Sequence, residues 1–195
     1  MPAPTMDGVA ALKALSRARK DEVVVLSEST RQDWPPLSTR PELDIAVTGS
    51  MSKASSFGLG VALARPDVGV WVLDTDGALL MNLGSLVTIA AAKPANLLHV
   101  VYDNEAYDTT GGQPTPGAGV IDFRTFALDA GYPRAFRFDR IEDFEVGLPE
   151  VLKGPGPTLA VLKNASRGRR AGSITASRPT RQAFYEIKEL LAGTS

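Results

Sequence analysis

Four stretches of this chain are apolar almost without a break: EVVVLS (22–27), VGVWVLD (68–74), NLLHVVYDN (96–104) and TLAVLKN (158–164). A strand with one wet face alternates apolar and polar residues, whereas a short run that does not alternate is covered on both faces. Segments with helical character lie between these runs. Val9, Leu12 and Leu15 recur at helical spacing within 8–19, and further helices are expected at 77–93, 122–131, 141–153 and 180–193. DIAVTGSMSKASSFGLGVALARP (44–66) reads as a short strand, a glycine and serine turn, and a helix ending before Pro66, and AFRFD (135–139) as one more strand. Residues 28–43, with Pro35, Pro36 and Pro41, and the glycine-rich stretch 105–119 are expected as loops. Strands alternating with helices imply an α/β fold, a single doubly wound, mostly parallel sheet with helices on both faces. It is expected to occupy the chain as one domain, 1–195.

In such a sheet, ligands bind beyond the carboxyl ends of the strands. Asp74, Asp76, Asp103 and Asn104 all stand at such ends. Gly77 and Ala78 follow Asp76 where a helix should begin. Small residues there let a phosphate approach the free N–H groups of the first turn. Asp76 and Asn104 supply hard oxygen ligands, and a backbone carbonyl just past Asn104 could add another. Two phosphate oxygens and a water would complete the six-oxygen shell that magnesium demands. Taken singly, Asp76 reads equally as a helix cap and Asn104 as the start of a turn. Their placement on consecutive strands joined by one helix favours the metal.

Composition closes other routes. The chain has no cysteine, so thiolate chemistry and disulfides are excluded, and its one histidine, His99, lies inside an apolar strand. A triad or a His-rich zinc site would depend on it, and a core position is the simpler reading. The formal net charge is −1 with both signs interspersed, which gives no expectation of a nucleic-acid or membrane-surface partner. SRGRR (166–170) alone is locally basic, either a solvated loop or an anion site. No segment has the length of a membrane span and no secretory leader is visible, so a cytoplasmic protein is expected.

LDTDG followed, after a helix and a strand, by DNEAY resembles the thiamine-diphosphate motif, usually written GDG and, some thirty residues later, NN or DN. GSMSKASSFGLGVALARP, LDTDGALLMNLGSLVTIA, NLLHVVYDNEAYDTTGGQ and the late RPT (178–180) are similar to the diphosphate-binding domain of sulfopyruvate and phosphonopyruvate decarboxylases. TTGGQ (109–113) is the most telling piece. The resemblance implies thiamine diphosphate and Mg2+ as cofactors. It makes Asp76, Asn104 and the Ala106 carbonyl the metal ligands. It places Gly49, Ser50, Met51, Gly77, Ala78 and Tyr107 along the cofactor, with Met51 as the apolar wedge that bends it. The motif's first glycine is Thr75 here, and Met51 is followed by Ser52 and Lys53.

Enzymes of this kind present a glutamate to the cofactor from a second type of domain. The resemblance therefore implies a partner, a pyrimidine-binding-domain subunit carrying that glutamate, in a hetero-oligomer. The expected reaction is decarboxylation of a small anionic 2-oxo acid such as sulfopyruvate or phosphonopyruvate to an aldehyde and carbon dioxide. Arg31, then Lys53, are the substrate-contacting candidates, and each also fits an ordinary surface or ion-pair role. Carboligation or another 2-oxo acid, and a degenerate non-catalytic partner subunit, are the competing readings.

Overall fold

The computed structural model describes residues 6–167 and 178–192. Strands β1 (Val23–Leu26), β2 (Asp44–Ala46), β3 (Val70–Thr75) and β4 (Leu97–Asp103) are followed by a two-strand ribbon, β5 (Ala106–Tyr107) and β6 (Gln113–Pro114). With β7 (Arg134–Phe138) and β8 (Thr158–Lys163), the first four form a parallel sheet in the order β2-β1-β3-β4-β8-β7.

The side-chain period of two sends successive residues to opposite faces. Val23, Val25, Val70, Val72, Val101 and Val161 join one core, with residues of α3 (Ala54–Ala64), α5 (Ser85–Ala92), α6 (Phe123–Ala130) and α8 (Thr180–Ala192). Val24, Leu26, Trp71, Leu73, Val100 and Leu162 join the other, under α1 (Gly8–Ala18) and α7 (Ile141–Leu152). Every residue of β1, β3, β4 and β8 is buried. The uninterrupted apolar runs thus reflect two covered faces, and the doubly wound reading is correct.

Three expectations need correction. The stretch 28–43 is not irregular: α2 (Thr30–Asp33) and two 3-10 turns, Pro35–Leu37 and Pro41–Leu43, occupy it. Thr30 fixes the first of these, its hydroxyl lying 2.6 Å from the Ser27 carbonyl and 2.7 Å from that of Leu73. Pro35 and Pro41 open the two 3-10 turns, where a missing N–H costs nothing. The single helix expected over 77–93 is two, α4 (Asp76–Leu80) and α5. At the break, the Asn82 side-chain amide donates to the Ser52 carbonyl (3.2 Å). Finally, the loop 105–119 contains the β5-β6 ribbon. TTGGQ makes its turn: the Tyr107 carbonyl accepts from Thr110, Gly111 and Gly112 N–H, and both glycines have positive φ.

The RPT segment is also structural. The Thr180 hydroxyl donates to the Ala46 carbonyl (2.6 Å) and stands 2.9 Å from the Thr48 hydroxyl, tying α8 to the end of β2. Arg178 reaches the Pro41 and Asp44 carbonyls (2.7 and 3.0 Å). Of SRGRR, residues 168–170 lie outside the described residues, but Ser166 and Arg167 do more than face solvent. They bond to Asp108, and Arg167 pairs with Asp33 (3.2 Å).

Candidate functional site

β3 ends where α4 begins, and the chain passes from extended backbone into a helix within one residue. Thr75 makes that passage. Its φ of −117° and ψ of 154° are ordinary extended values, so a glycine is not needed there, and its hydroxyl accepts the Ala78 N–H (3.4 Å) as an N-cap. Of the first-turn N–H groups expected to meet a phosphate, that of Ala78 is already met by the Thr75 hydroxyl.

Asp76 follows, 1 % exposed. Its Oδ2 accepts from the Thr115 hydroxyl (3.1 Å), and its Oδ1 is buried with no hydrogen-bond partner. Burial, and next the nearby Asp103 carboxylate, push its pKa up to about 7. A buried carboxylate oxygen without a donor is costly. A hard cation would supply the missing charge, so the group fits Mg2+ on this chain's own chemistry. Among the described residues no cluster of three or more acidic or histidine side chains could hold a metal by itself.

Asn104 stands at the end of the neighbouring strand. Its Oδ1 accepts the Ala106 N–H (3.0 Å), leaving one lone pair, and its amide donates to Asp108 (2.8 Å). Asp108 also accepts from the Ser166 hydroxyl (2.6 Å) and the Arg167 N–H (3.2 Å), so the loop after Asn104 is pinned from β8's far end. Ala106 and Tyr107 form β5, and the Tyr107 ring lies on Gly77: a Cβ there would stand 2.5 Å from the ring. The structure thus brings Asp76, Gly77, Asn104, Ala106 and Tyr107 together.

Gly49, Ser50 and Met51 follow β2, on the far side of β1. The carbonyl of the next residue, Ser52, accepts from the Asn82 side-chain amide just after α4 (3.2 Å), and none of the three is in a described hydrogen bond with Asp76 or Asn104. Gly49 and Ser52 have φ of +68° and +73°, so this turn is a sharp one. Arg31 is buried against Glu28 (3.6 Å), and Glu28 accepts from the Thr109 hydroxyl (3.3 Å), which links α2 to the TTGGQ turn. The Arg31 Nε has no partner. Lys53 is exposed ahead of α3.

His99 is fully buried. Its Nε2 lies 3.4 Å from Asp74 Oδ2 and its Nδ1 3.4 Å from the Tyr132 hydroxyl, a core position as expected. Asp74 Oδ1 accepts from the Ser27 hydroxyl (2.7 Å) and the Thr75 N–H (2.9 Å), fixing the backbone just before Asp76.

Sequence reasoning missed Thr115 and Lys163. Thr115 carries no signal, lying in a loop thirty-nine positions from the carboxylate it binds. Lys163 carries one, a charged residue at the carboxyl end of an apolar strand.

Residues 32–162 match the family described as thiamine pyrophosphate enzyme, C-terminal TPP binding domain. The chain belongs to this family. It is 38 % identical over 162 residues to a phosphonopyruvate decarboxylase of Streptomyces hygroscopicus, covering 82 % of this chain and 39 % of that protein. It is 49 % identical over 112 residues to the sulfopyruvate decarboxylase subunit beta of Methanothermobacter thermautotrophicus, 57 % of each chain. It therefore spans about four tenths of the first relative's length and under two thirds of the second's. A solved structure of a thiamin diphosphate-dependent enzyme from Mycobacterium smegmatis superposes with a TM-score of 0.69 at 25 % identity, over 84 % of this chain and 32 % of that one. Its placement among thiamine pyrophosphate enzymes accords with the α/β fold described above.

Proposed function

We propose that this chain is the diphosphate-binding subunit, over 1–195, of a split thiamine-diphosphate-dependent decarboxylase. It acts on an anionic 2-oxo acid such as sulfopyruvate or phosphonopyruvate and releases an aldehyde and carbon dioxide. The observation that carries the reading is the buried, partnerless Asp76 Oδ1 at the end of a central strand, beside the Asn104 loop. Similarity to a protein named as a sulfopyruvate decarboxylase subunit beta supports the split arrangement and the substrate class.

Asp76, Asn104 and the Ala106 carbonyl would hold Mg2+. Gly49, Ser50, Met51, Gly77, Ala78 and Tyr107 would line thiamine diphosphate, with Met51 beneath it as an apolar support. When bound, the cofactor supplies the electron sink that lets a 2-oxo acid lose carbon dioxide. Asp76 would hold the metal from its buried position, where the cation would offset the burial that otherwise disfavours the charged carboxylate. Arg31, paired with Glu28 through one nitrogen and with its Nε unpartnered, would turn that N–H to the substrate's terminal anion, and the exposed Lys53 would add a second positive charge. The glutamate that activates the cofactor comes from a pyrimidine-binding-domain partner, and the assembly works in the cytoplasm.

The test is co-purification with a pyrimidine-domain chain, addition of thiamine diphosphate and Mg2+, and measurement of carbon dioxide from sulfopyruvate, phosphonopyruvate and pyruvate. Turnover is expected only in the assembled protein. Turnover by the purified chain alone would overturn the two-chain reading. Condensed acyloins in place of aldehydes would make it a carboligase. Cofactor binding without turnover of any 2-oxo acid would make it a non-catalytic subunit.

A further inference from the structure

β4 and β8 are parallel neighbours, and their register sets Lys163 directly opposite Asp103. The Lys163 ammonium, on a side chain only 8 % exposed, stands 3.0 Å from Asp103 Oδ2 and 2.5 Å from Glu105 Oε1. It therefore bridges the two residues that flank Asn104. Glu105 has a φ of +60°, in the left-handed region that a residue with a Cβ avoids. Glutamate has no short polar side chain with which to stabilise that conformation locally, so the hold must come from outside. Three contacts supply it. Oε1 takes Lys163 and the Gly119 N–H (2.6 Å), and the carbonyl accepts the Thr115 N–H (3.0 Å). Thr115 is the residue that also binds Asp76.

We infer that Lys163 is a positioning residue: its ammonium clamps Glu105 in the left-handed conformation and so aims Asn104 and the Ala106 carbonyl toward Asp76. As a counter-ion to Asp103 alone, Lys163 would need no contact with Glu105. If φ at Glu105 returned to negative values, the chain would leave Asn104 in another direction. The Ala106 carbonyl would turn away from the end of β3, and the β5-β6 ribbon would lose its register over Gly77. The metal-directed part of this inference rests on the proposed function. The clamp itself does not.

The deciding comparison is Glu105→Ala against Glu105→Gly. Both lose the same ion pair and the same Gly119 contact, and both keep Lys163 on Asp103, but only alanine retains the cost of φ at +60°. In the complex with the pyrimidine-domain partner, calorimetric titration with Mg2+ and thiamine diphosphate should show Glu105→Ala and Lys163→Met about 10-fold weaker in Mg2+ affinity, and Glu105→Gly within about 2-fold of wild type. Glu105→Gly should also rescue Lys163→Met. Those two proteins leave Asp103 equally without its cation, so the rescue reads loop geometry alone.

A second measurement uses the chain by itself, without metal. Amide exchange across 104–108 should be faster in Glu105→Ala than in Glu105→Gly, and faster in Lys163→Met than in Lys163→Met combined with Glu105→Gly. Equal behaviour of the alanine and glycine variants in both measurements would overturn the inference, as would failure of glycine to rescue Lys163→Met. Where Lys163→Met does not fold, the alanine and glycine pair still decides. A wild-type complex that takes up no cofactor with Mg2+ would instead count against the metal-site reading, and the exchange measurement would still report on the clamp.

Discussion

The ring of Tyr107 occupies the space that a side chain on Gly77 would fill: a Cβ built there lies 2.5 Å from Tyr107 Cε1 and 3.3 Å from Thr115 Cγ2. Gly77 is the second residue of α4, just after the central strand β3, and Tyr107 ends the first strand of the ribbon. Their contact couples the ribbon to the carboxylate beside it.

Gly77→Ala should therefore push the ribbon off α4. Overpacking at a fixed site costs about 1–3 kcal/mol, and that loss should appear in urea denaturation of the chain. Cofactor affinity of the assembled protein should fall in the same variant. An alanine variant with wild-type stability would mean that Tyr107 can swing aside freely.

Asp76 should affect binding and stability with opposite signs. Its folded pKa of about 7 lies above the ordinary value of 3.8. A carboxyl raised in this way contributes stability that is fully present below about pH 4 and is lost as the pH rises through about 7. Asparagine escapes that loss. In chelator at pH 8, Asp76→Asn should be more stable than wild type by about 1–3 kcal/mol, with the gap closing toward pH 4. The same variant should lose Mg2+-dependent cofactor binding in the complex, read by calorimetry. A variant less stable than wild type in chelator would show that the carboxylate is better satisfied than its geometry implies.

Thr75→Gly should bring no gain. The backbone at Thr75 is already extended and its hydroxyl caps α4. Thr75→Ala should cost about 1 kcal/mol in chemical denaturation, the usual worth of an N-cap, and glycine should lose strand rigidity in its place. Tighter cofactor binding in the glycine variant would mean that Thr75 hinders the approach of the diphosphate.

Far from the site, Arg19 has a fully buried side chain whose guanidinium lies 2.8 Å from Asp44 Oδ1, and the Trp34 indole N–H donates to Asp44 Oδ2 (3.1 Å). Removing one partner of such a pair strands the other charge. Asp44→Ala should lose about 3 kcal/mol of stability while leaving the Mg2+ affinity of the assembled protein unchanged. Stability within error of wild type would mean that the Glu22 carbonyl and Ser38 hydroxyl suffice for Arg19.

Much of the architecture was legible in the chain because burial on both faces leaves a direct mark on a strand. Val70, Val72 and Val101 face one core, Trp71, Leu73 and Val100 the other, and no polar alternation remains. The break between α4 and α5 was harder to read. Asn82 and Gly84 are its only local signs, and its hydrogen-bonding partner, Ser52, belongs to another segment. The short helix after β1 was hidden for the same reason, since Thr30 bonds to the carbonyl of Leu73 across the sheet.

The sequence by itself determined the order of the sheet strands and of the main helices between them, and it set Asp76 and Asn104 at the ends of consecutive strands. Local periodicity and spacing suffice for that, because each depends on residues near one another in the chain. Only the tertiary structure decided which polar atoms are satisfied. Asp76 Oδ1 is left without a partner, and Lys163 reaches both Asp103 and Glu105, because the strand order β3-β4-β8 brings together residues that are up to sixty positions apart. Burial and hydrogen bonding are properties of those distant neighbours, and no local pattern encodes them.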